Sequence, residues 1–305
     1  MTHKALVVGI NDYPGTEQDL GGCVNDAKAW ATLLTAHYAF PEGNIRLLLD
    51  AQATKAAMLS GLDWLVEGAR PGDVLVFAYS GHGTWVPDQG ETDEQDGRDE
   101  ALCPYDLGED FSNLLVDDEL RARVRQVPRA VQLTMIADSC FSGTVSRAFH
   151  GGVRPAHPVH GRADAAPRIK YLPPPKAFER AIRAPSRAIH PWGPVKKRLA
   201  VSQGQLQEIL LAGASSTQFS YDALIGGKRH GAFTYYALQT VKAANYQLTY
   251  LDLIRGVLQR LPFNLYPQTP QLEGSRTNKR RPVFAPLGAG RTAVPIRGDH
   301  RRTAR

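Results

Sequence analysis

No apolar run in this sequence approaches the ~18–20 residues that a membrane-spanning helix needs. Cysteine is scarce as well. The 305 residues hold three, Cys23, Cys103 and Cys140, too few and too scattered for a disulfide framework or a paired metal-binding motif. Reduced thiols and a cytoplasmic setting are the expectation. Residues Met1 to Ile10 lack the layout of a secretory leader, because a single basic side chain, Lys4, is followed at once by a strand-like apolar stretch. Internal repeats are absent. Hydrophobic residues make up 43% and charged residues 22% of the chain, a balance that excludes wholesale disorder. The length suits one large domain or two ordinary ones.

The net charge of +6 is unevenly spread. Residues 144–200 carry twelve Lys or Arg against two acids, and the last thirty residues carry nine against Asp299 alone. Asp88 to Leu120 is the reverse, with thirteen acids and only Arg98 as a base. The folded core is therefore acidic or neutral, with the positive charge set apart in two segments. Those segments lack interleaved aromatics, Tyr171 and Trp192 being isolated, so nucleic acid is not an expected partner. Residues 144–200 also hold nine of the 21 prolines, Pro173, Pro174 and Pro175 among them. Such a composition predicts an exposed, mostly irregular insertion, with a short helix over Ala177–Ile182. The tail from Gly288 to Arg305 reads as disordered.

Apolar runs at Lys4–Gly9, Ile45–Leu49, Asp73–Tyr79, Val131–Asp138 and Ile209–Ala214 predict strands, and Pro282–Ala285 a last short one. Helical spacing covers Asn25–His37, Lys55–Glu67, Asp117–Val127, Gly231–Ala244 and Thr249–Leu261. Strands alternating with helices predict an α/β fold, a mainly parallel sheet flanked by helices on both faces. Folds of this kind place their chemistry at the carboxyl ends of the strands.

Two strand ends carry reactive side chains. One runs out into Tyr79-Ser80-Gly81-His82-Gly83, the other into Asp138-Ser139-Cys140-Phe141-Ser142-Gly143. A cysteine is nucleophilic as its thiolate, and a neighbouring imidazole is the usual means of forming one. The amides of Gly83 and Cys140 are placed to receive a developing oxyanion. Residues two apart on an extended segment share a face, which groups Asp138 with Cys140 and Ser80 with His82. A carboxylate there would favour a cationic substrate group. Each residue also has a plain structural reading: Cys140 as a small buried hydrophobe, His82 as a polar loop residue, Asp138 as a helix cap.

The segments ALVVGINDYPGTEQDLGGCVNDA, VFAYSGHG, DEQDGRDEALCPYD, LVDDEL, LTMIADSCFSG, ILLAGASSTQFSYDA, GAFTYYAL and TPQLEG resemble those of caspase-family cysteine peptidases, specifically metacaspases. The resemblance covers about residues 4–143 and 208–286. It implies the caspase-hemoglobinase fold and cleavage after Arg or Lys. By motif, His82 matches the family's proton shuttle, Cys140 its nucleophile and Gly83 its oxyanion donor. Cys23, Asp26, Ser80 and Asp138 match positions lining the pocket for the basic side chain, where two carboxylates suit a bidentate guanidinium better than an ammonium. The resemblance divides the chain into a large-subunit-like part (1–143), the basic insertion (144–207), a small-subunit-like part (208–287) and the tail (288–305). It also implies calcium as an activator, with Asp99, Asp117 and Asp118 at ligand positions. The fourth such position is Arg147, a cation that opposes binding.

The expectation is a monomeric cysteine endopeptidase acting on proteins or peptides with a basic residue before the cut. No cofactor is required for the chemistry, and no membrane is involved. Arg147, Lys170, Arg180, Lys197 and Arg198 are candidate self-cleavage sites in the insertion. The alternative is a catalytically silent caspase-like adaptor that binds an acidic partner through its basic segments.

Overall fold

The computed structural model describes residues 1–87, 98–140, 166–183 and 208–285. The Arg147, Lys197 and Arg198 candidates, most of the basic insertion and the tail beyond 285 lie outside them. In chain order the elements are β1 (His3–Gly9), α1 (Cys23–His37), β2 (Ile45–Leu49), α2 (Lys55–Val66), β3 (Val74–Ser80), β4 (Gly83–Pro87), β5 (Arg98–Leu102), β6 (Leu115–Val116) and α3 (Asp117–Val124). There follow β7 (Gln132–Asp138), β8 (Arg168–Ile169), α4 (Lys176–Arg183), β9 (Ile209–Ala212), β10 (Tyr221–Ile225) and β11 (Lys228–Gly231). The last are α5 (Ala232–Ala243), α6 (Tyr250–Arg260), β12 (Gln271–Glu273) and α7 (Arg276–Lys279).

The main sheet has the order β12-β9-β7-β3-β1-β2. All its pairings are parallel except that of β12 with β9. Its strands are apolar on both faces because helices cover both. Along β1, Ala5 and Val7 enter one apolar cluster and Leu6 and Val8 the other. The first cluster takes Trp30 and Leu34 of α1, Phe233 and Val241 of α5, and Leu253 and Val257 of α6. The second takes Met58, Leu62 and Leu65 of α2. Among the described residues no helix is long and apolar enough to cross a membrane.

The α/β architecture and all five parallel strands of the main sheet agree with the sequence reading, and α4 agrees with the helix expected at Ala177–Ile182. The sixth strand does not. It is Gln271–Glu273 on the β9 edge, not Pro282–Ala285, which keeps only an isolated bridge from Pro282 to Thr249. Val283 and Phe284 are buried instead as core fillers, Phe284 packing its ring against Trp30, Tyr38 and Tyr250. Burial, not pairing, is what made that stretch apolar. The expectation of exposure also fails locally in the insertion: Lys170, Tyr171 and Leu172 are 0–2% exposed. Two small sheets, β4-β5-β6 and β11-β10-β8, were not anticipated.

Gly9 ends β1 where α1 begins. A methyl group there would overlap the Cys23 carbonyl oxygen and lie 2.7 Å from Ala27 Cβ. The close approach seats the first turn of α1, and with it Asp26, against the sheet. Gly9→Ala is therefore expected to cost about 1–3 kcal/mol by overpacking, read as a fall in the urea midpoint without a change in its slope.

Candidate active site

Ser80 and Asp138 are register partners at the ends of neighbouring β3 and β7. His82 and Cys140 each follow two residues later, so the two residues, 58 positions apart in the chain, emerge at the same rim of the sheet. Both are about 1% exposed. Gly81 N still donates to Asp138 O at 3.5 Å, and a methyl group on Gly83 would overlap the Cys140 carbonyl. The glycines thus let the two strand ends touch through their backbones.

The third partner comes from the insertion. Residues 168–172 run between these strand ends as an extended segment. Arg168 and Ile169 pair with Asp222 and Tyr221 of β10, and Lys170 N donates to Ser220 O at 3.0 Å. The Lys170 carbonyl accepts from Gly83 N at 3.1 Å and from Cys140 N at 3.2 Å. Leu172 N donates to Gly83 O at 3.1 Å.

The Lys170 side chain fills a chamber walled by the residues singled out for a basic pocket. Its Nζ lies 3.1 Å from Asp138 Oδ1, 3.4 Å from Asp26 Oδ2 and 2.9 Å from Ser80 Oγ, and it donates to Asp138 O at 3.2 Å. Ser80 Oγ in turn donates to Asp26 Oδ2 at 2.8 Å. The Cys23 thiol is buried on the same α1 turn, and burial pushes it well above the ordinary thiol range. Burial alone would push the Lys170 ammonium down, but the carboxylates around it, Asp138 foremost, hold it above the ordinary lysine value. For Asp26 burial pushes upward, against the pull of Lys170. One cation therefore sits fully buried between two carboxylates.

Several wall residues were not recognised in the sequence. Ser220 Oγ donates to Asp138 Oδ1 at 2.6 Å, while Thr234 donates to Oδ2 from its hydroxyl at 2.7 Å and from its amide at 3.0 Å. Gly231 N donates to Asp26 Oδ2 at 2.8 Å, and His230 Nδ1 lies 3.5 Å from Asp26 Oδ1. A methyl group on Gly231 would overlap Asp138 Oδ2 and Lys170 Nζ, so the chamber exists because that position is glycine. Ser220, Gly231 and Thr234 fall within quoted segments of the family resemblance. That signal marked the segments without giving these residues roles.

The imidazole also has an orienting partner where the sequence offered none. His82 Nε2 lies 2.6 Å from the Gln18 carbonyl. A carbonyl only accepts, so Nε2 carries the proton and Nδ1 the lone pair. Burial pushes His82 down to about 4, although the Gln18 carbonyl lifts it. Burial pushes the Cys140 thiol up to about 12, although the Ser220 amide, 2.6 Å from Sγ, lowers it. With the segment in place both groups are neutral. The arrangement therefore holds an amide carbonyl on two N–H donors at the sheet rim that carries the thiol and the imidazole.

The model of the "Metacaspase, peptidase C14 domain" family matches residues 3–148. Metacaspase-1A of Aspergillus fumigatus is 31% identical over 297 residues, which is 89% of this chain and 68% of that protein. The chain belongs to the metacaspase family. Metacaspase-4 of Arabidopsis thaliana is 44% identical over 148 residues, 47% of this chain and 34% of its own. The crystal structure of protein GSU0716 from Geobacter sulfurreducens superposes with a TM-score of 0.65 at 25% identity, covering 94% of this chain and all of the other. As a metacaspase the protein is a cysteine-type peptidase with a caspase-like α/β fold.

Three residues at calcium-ligand positions implied by the resemblance fall on neighbouring elements. Asp99 lies on β5, and Asp117 and Asp118 open α3, where Arg121 forms ion pairs with both. Among the described residues there is no group of three His, Cys, Asp or Glu side chains arranged to hold a metal.

The depressed His82 has a thermodynamic consequence. Unfolded, it takes a proton below about pH 6.5, and folded only near pH 4, so the unfolded state binds more protons between those values. Stability is therefore full above pH 6.5 and lost as the pH falls toward 4. The loss amounts to about 3 kcal/mol if the whole shift is realised. Urea midpoints measured across that window should fall in Cys140→Ala, which keeps the segment in place, and fall less when His82→Gln is added to it.

Proposed function

We propose that this metacaspase hydrolyses peptide bonds on the carboxyl side of Lys and Arg, and that its first substrate is its own Lys170–Tyr171 bond. One observation carries the reading: the Lys170 carbonyl rests on the Gly83 and Cys140 amides while its ammonium lies between Asp26 and Asp138. Arg180, another candidate in the insertion, is exposed on α4. The rival of a silent adaptor leaves both the chamber and the carbonyl contacts without a purpose.

In the proposed mechanism Cys140 Sγ attacks the Lys170 carbonyl carbon and His82 accepts the thiol proton. The tetrahedral oxyanion keeps the hydrogen bonds from Gly83 N and Cys140 N, which strengthen as charge develops. His82 then passes the proton to the Tyr171 nitrogen, the C–N bond breaks, and a thioester to Cys140 remains. His82 next takes a proton from water, whose oxygen attacks the thioester, and returns it to the departing sulfur. The Gln18 carbonyl holds the ring while the proton moves. Once the segment withdraws, water enters the chamber and the burial that keeps both groups neutral is relieved. Asp26 and Asp138 then face the Lys or Arg of the next substrate. All these groups come from one chain, so a monomer suffices. The cut falls in the insertion, between the large-subunit-like part (1–143) and the small-subunit-like part (208–287).

Mass analysis of the purified parent protein should find a fragment beginning at Tyr171, and Cys140→Ala should remain whole. A parent that stays intact, or a Cys140→Ala variant that is still cut, would reject the assignment. On peptide libraries, Asp138→Asn or Asp26→Asn should lower kcat/KM after Lys or Arg by roughly 100-fold or more, the effect of removing one partner of a buried charge pair. Equal rates after Asp and Arg in the parent protein would discard the pocket. Calcium has no step in this scheme, and EGTA is expected to leave the rate unchanged; a rate that collapses in EGTA would restore a metal site.

A further inference from the structure

The two residues that follow the proposed cut are as enclosed as the lysine before it. Tyr171 is 1% and Leu172 2% exposed. The backbone there is held by Gly83, which forms a bridge with Tyr171 and accepts from Leu172 N at 3.1 Å. The Tyr171 ring forms an apolar cluster with Trp85 of β4 and Cys140. Its ring centroid is 6.0 Å from that of Phe219, and its hydroxyl accepts from Trp85 Nε1 at 3.2 Å. Leu172 enters the apolar cluster that contains Leu20, Leu102 and Cys103. Among the described residues of the insertion, Ile169 before the cut and Phe178 of α4 beyond it, centred 6.4 Å from the Trp85 ring, also pack on this cluster; Trp85, Cys140 and Phe219 lie outside the insertion.

We propose that the cleft also selects substrates on the leaving-group side, taking an aromatic residue, best a tyrosine, directly after the cut and an aliphatic residue next. Trp85 and Phe219 are the side chains that read the aromatic. This inference rests on the peptidase reading above and names the substrate class for the same site.

The physical case has two parts. Trp85 and Tyr171 are both buried, and a buried indole N–H is costly unless hydrogen-bonded; the Tyr171 hydroxyl oxygen accepts it. The walls around the ring are aromatic and apolar, so a charged or small residue would bury a charge in an apolar box or leave the box unfilled. Leu172 extends the same logic by one residue, in a strand whose backbone bonds to Gly83 fix the register. The chemistry is unchanged. One water is added across the amide, the hydroxyl going to the lysine carbonyl and the proton to the tyrosine nitrogen through His82.

The test uses the full chain after self-processing and peptides of sequence Arg-Ile-Lys-X-Leu-Pro, with X as Tyr, Phe, Leu, Ala or Asp. The expected order of kcat/KM is Tyr above Phe by about fivefold, the worth of one neutral hydrogen bond. Both should exceed Ala and Asp by about tenfold or more, the worth of burying an aromatic ring. In Trp85→Phe, which keeps an aromatic wall, the Tyr-to-Phe ratio should fall to about one. That ratio is internal to each enzyme and does not depend on how much of it folds. Rates within twofold across all five peptides, with cleavage after Lys intact, would overturn the leaving-side selection and leave the peptidase reading standing. Absence of cleavage after Lys in every peptide would overturn both.

Discussion

A water-free chamber holding two carboxylates is unstable unless a cation occupies it. In this protein Asp26 and Asp138 come from different elements, the first turn of α1 and the end of β7. The ammonium between them comes from a third, the strand-like segment at Lys170. The requirement for that cation explains why a segment rich in Pro and Arg crosses the interior at all. It also explains the surrounding donors: Ser80, Ser220, Gly231 and Thr234 each give a hydrogen bond to one of the two acids. The same chamber accounts for the close approach of α1 to β1 at Gly9 and for the missing side chain at Gly231.

The filled chamber also sets the state of the reactive pair. Packed under the segment, the Cys140 thiol is pushed up to about 12 and the His82 imidazole down to about 4. Both effects are chiefly burial, which disfavours whichever form is charged. In the proposed reading the protein therefore holds its own scissile bond in position while keeping nucleophile and base uncharged. Withdrawal of the cut segment would expose both groups to water and open the chamber to other chains.

Much of the fold was legible because its signals are local. Runs such as DVLVFAY and VQLTMIAD can hardly be anything but buried parallel strands, and both strand ends carried their reactive residues in plain view. The failures share a cause. Val283 and Phe284 look like a strand because they are apolar, yet they fill a gap among Trp30, Tyr38 and Tyr250. Lys170, Tyr171 and Leu172 look like part of an exposed linker because their neighbours are basic or proline, yet they are buried by complementary walls elsewhere in the chain. Gln18 contributes only a carbonyl to His82, a group that every residue possesses and no side chain announces.

From the sequence alone one could establish the α/β sheet, the two strand ends bearing His82 and Cys140, and the kinship carried by their flanking motifs, since each depends on residues close together in the chain. Tertiary structure alone decided that Lys170, of all the basic residues in the insertion, occupies the acidic chamber, that Gln18 orients the imidazole, and that Trp85 and Phe219 enclose the residue after it. Those assignments depend on which surfaces meet across long stretches of chain, and a basic side chain becomes a chamber's occupant only where opposite charge, hydrogen-bond donors and exclusion of water converge on it.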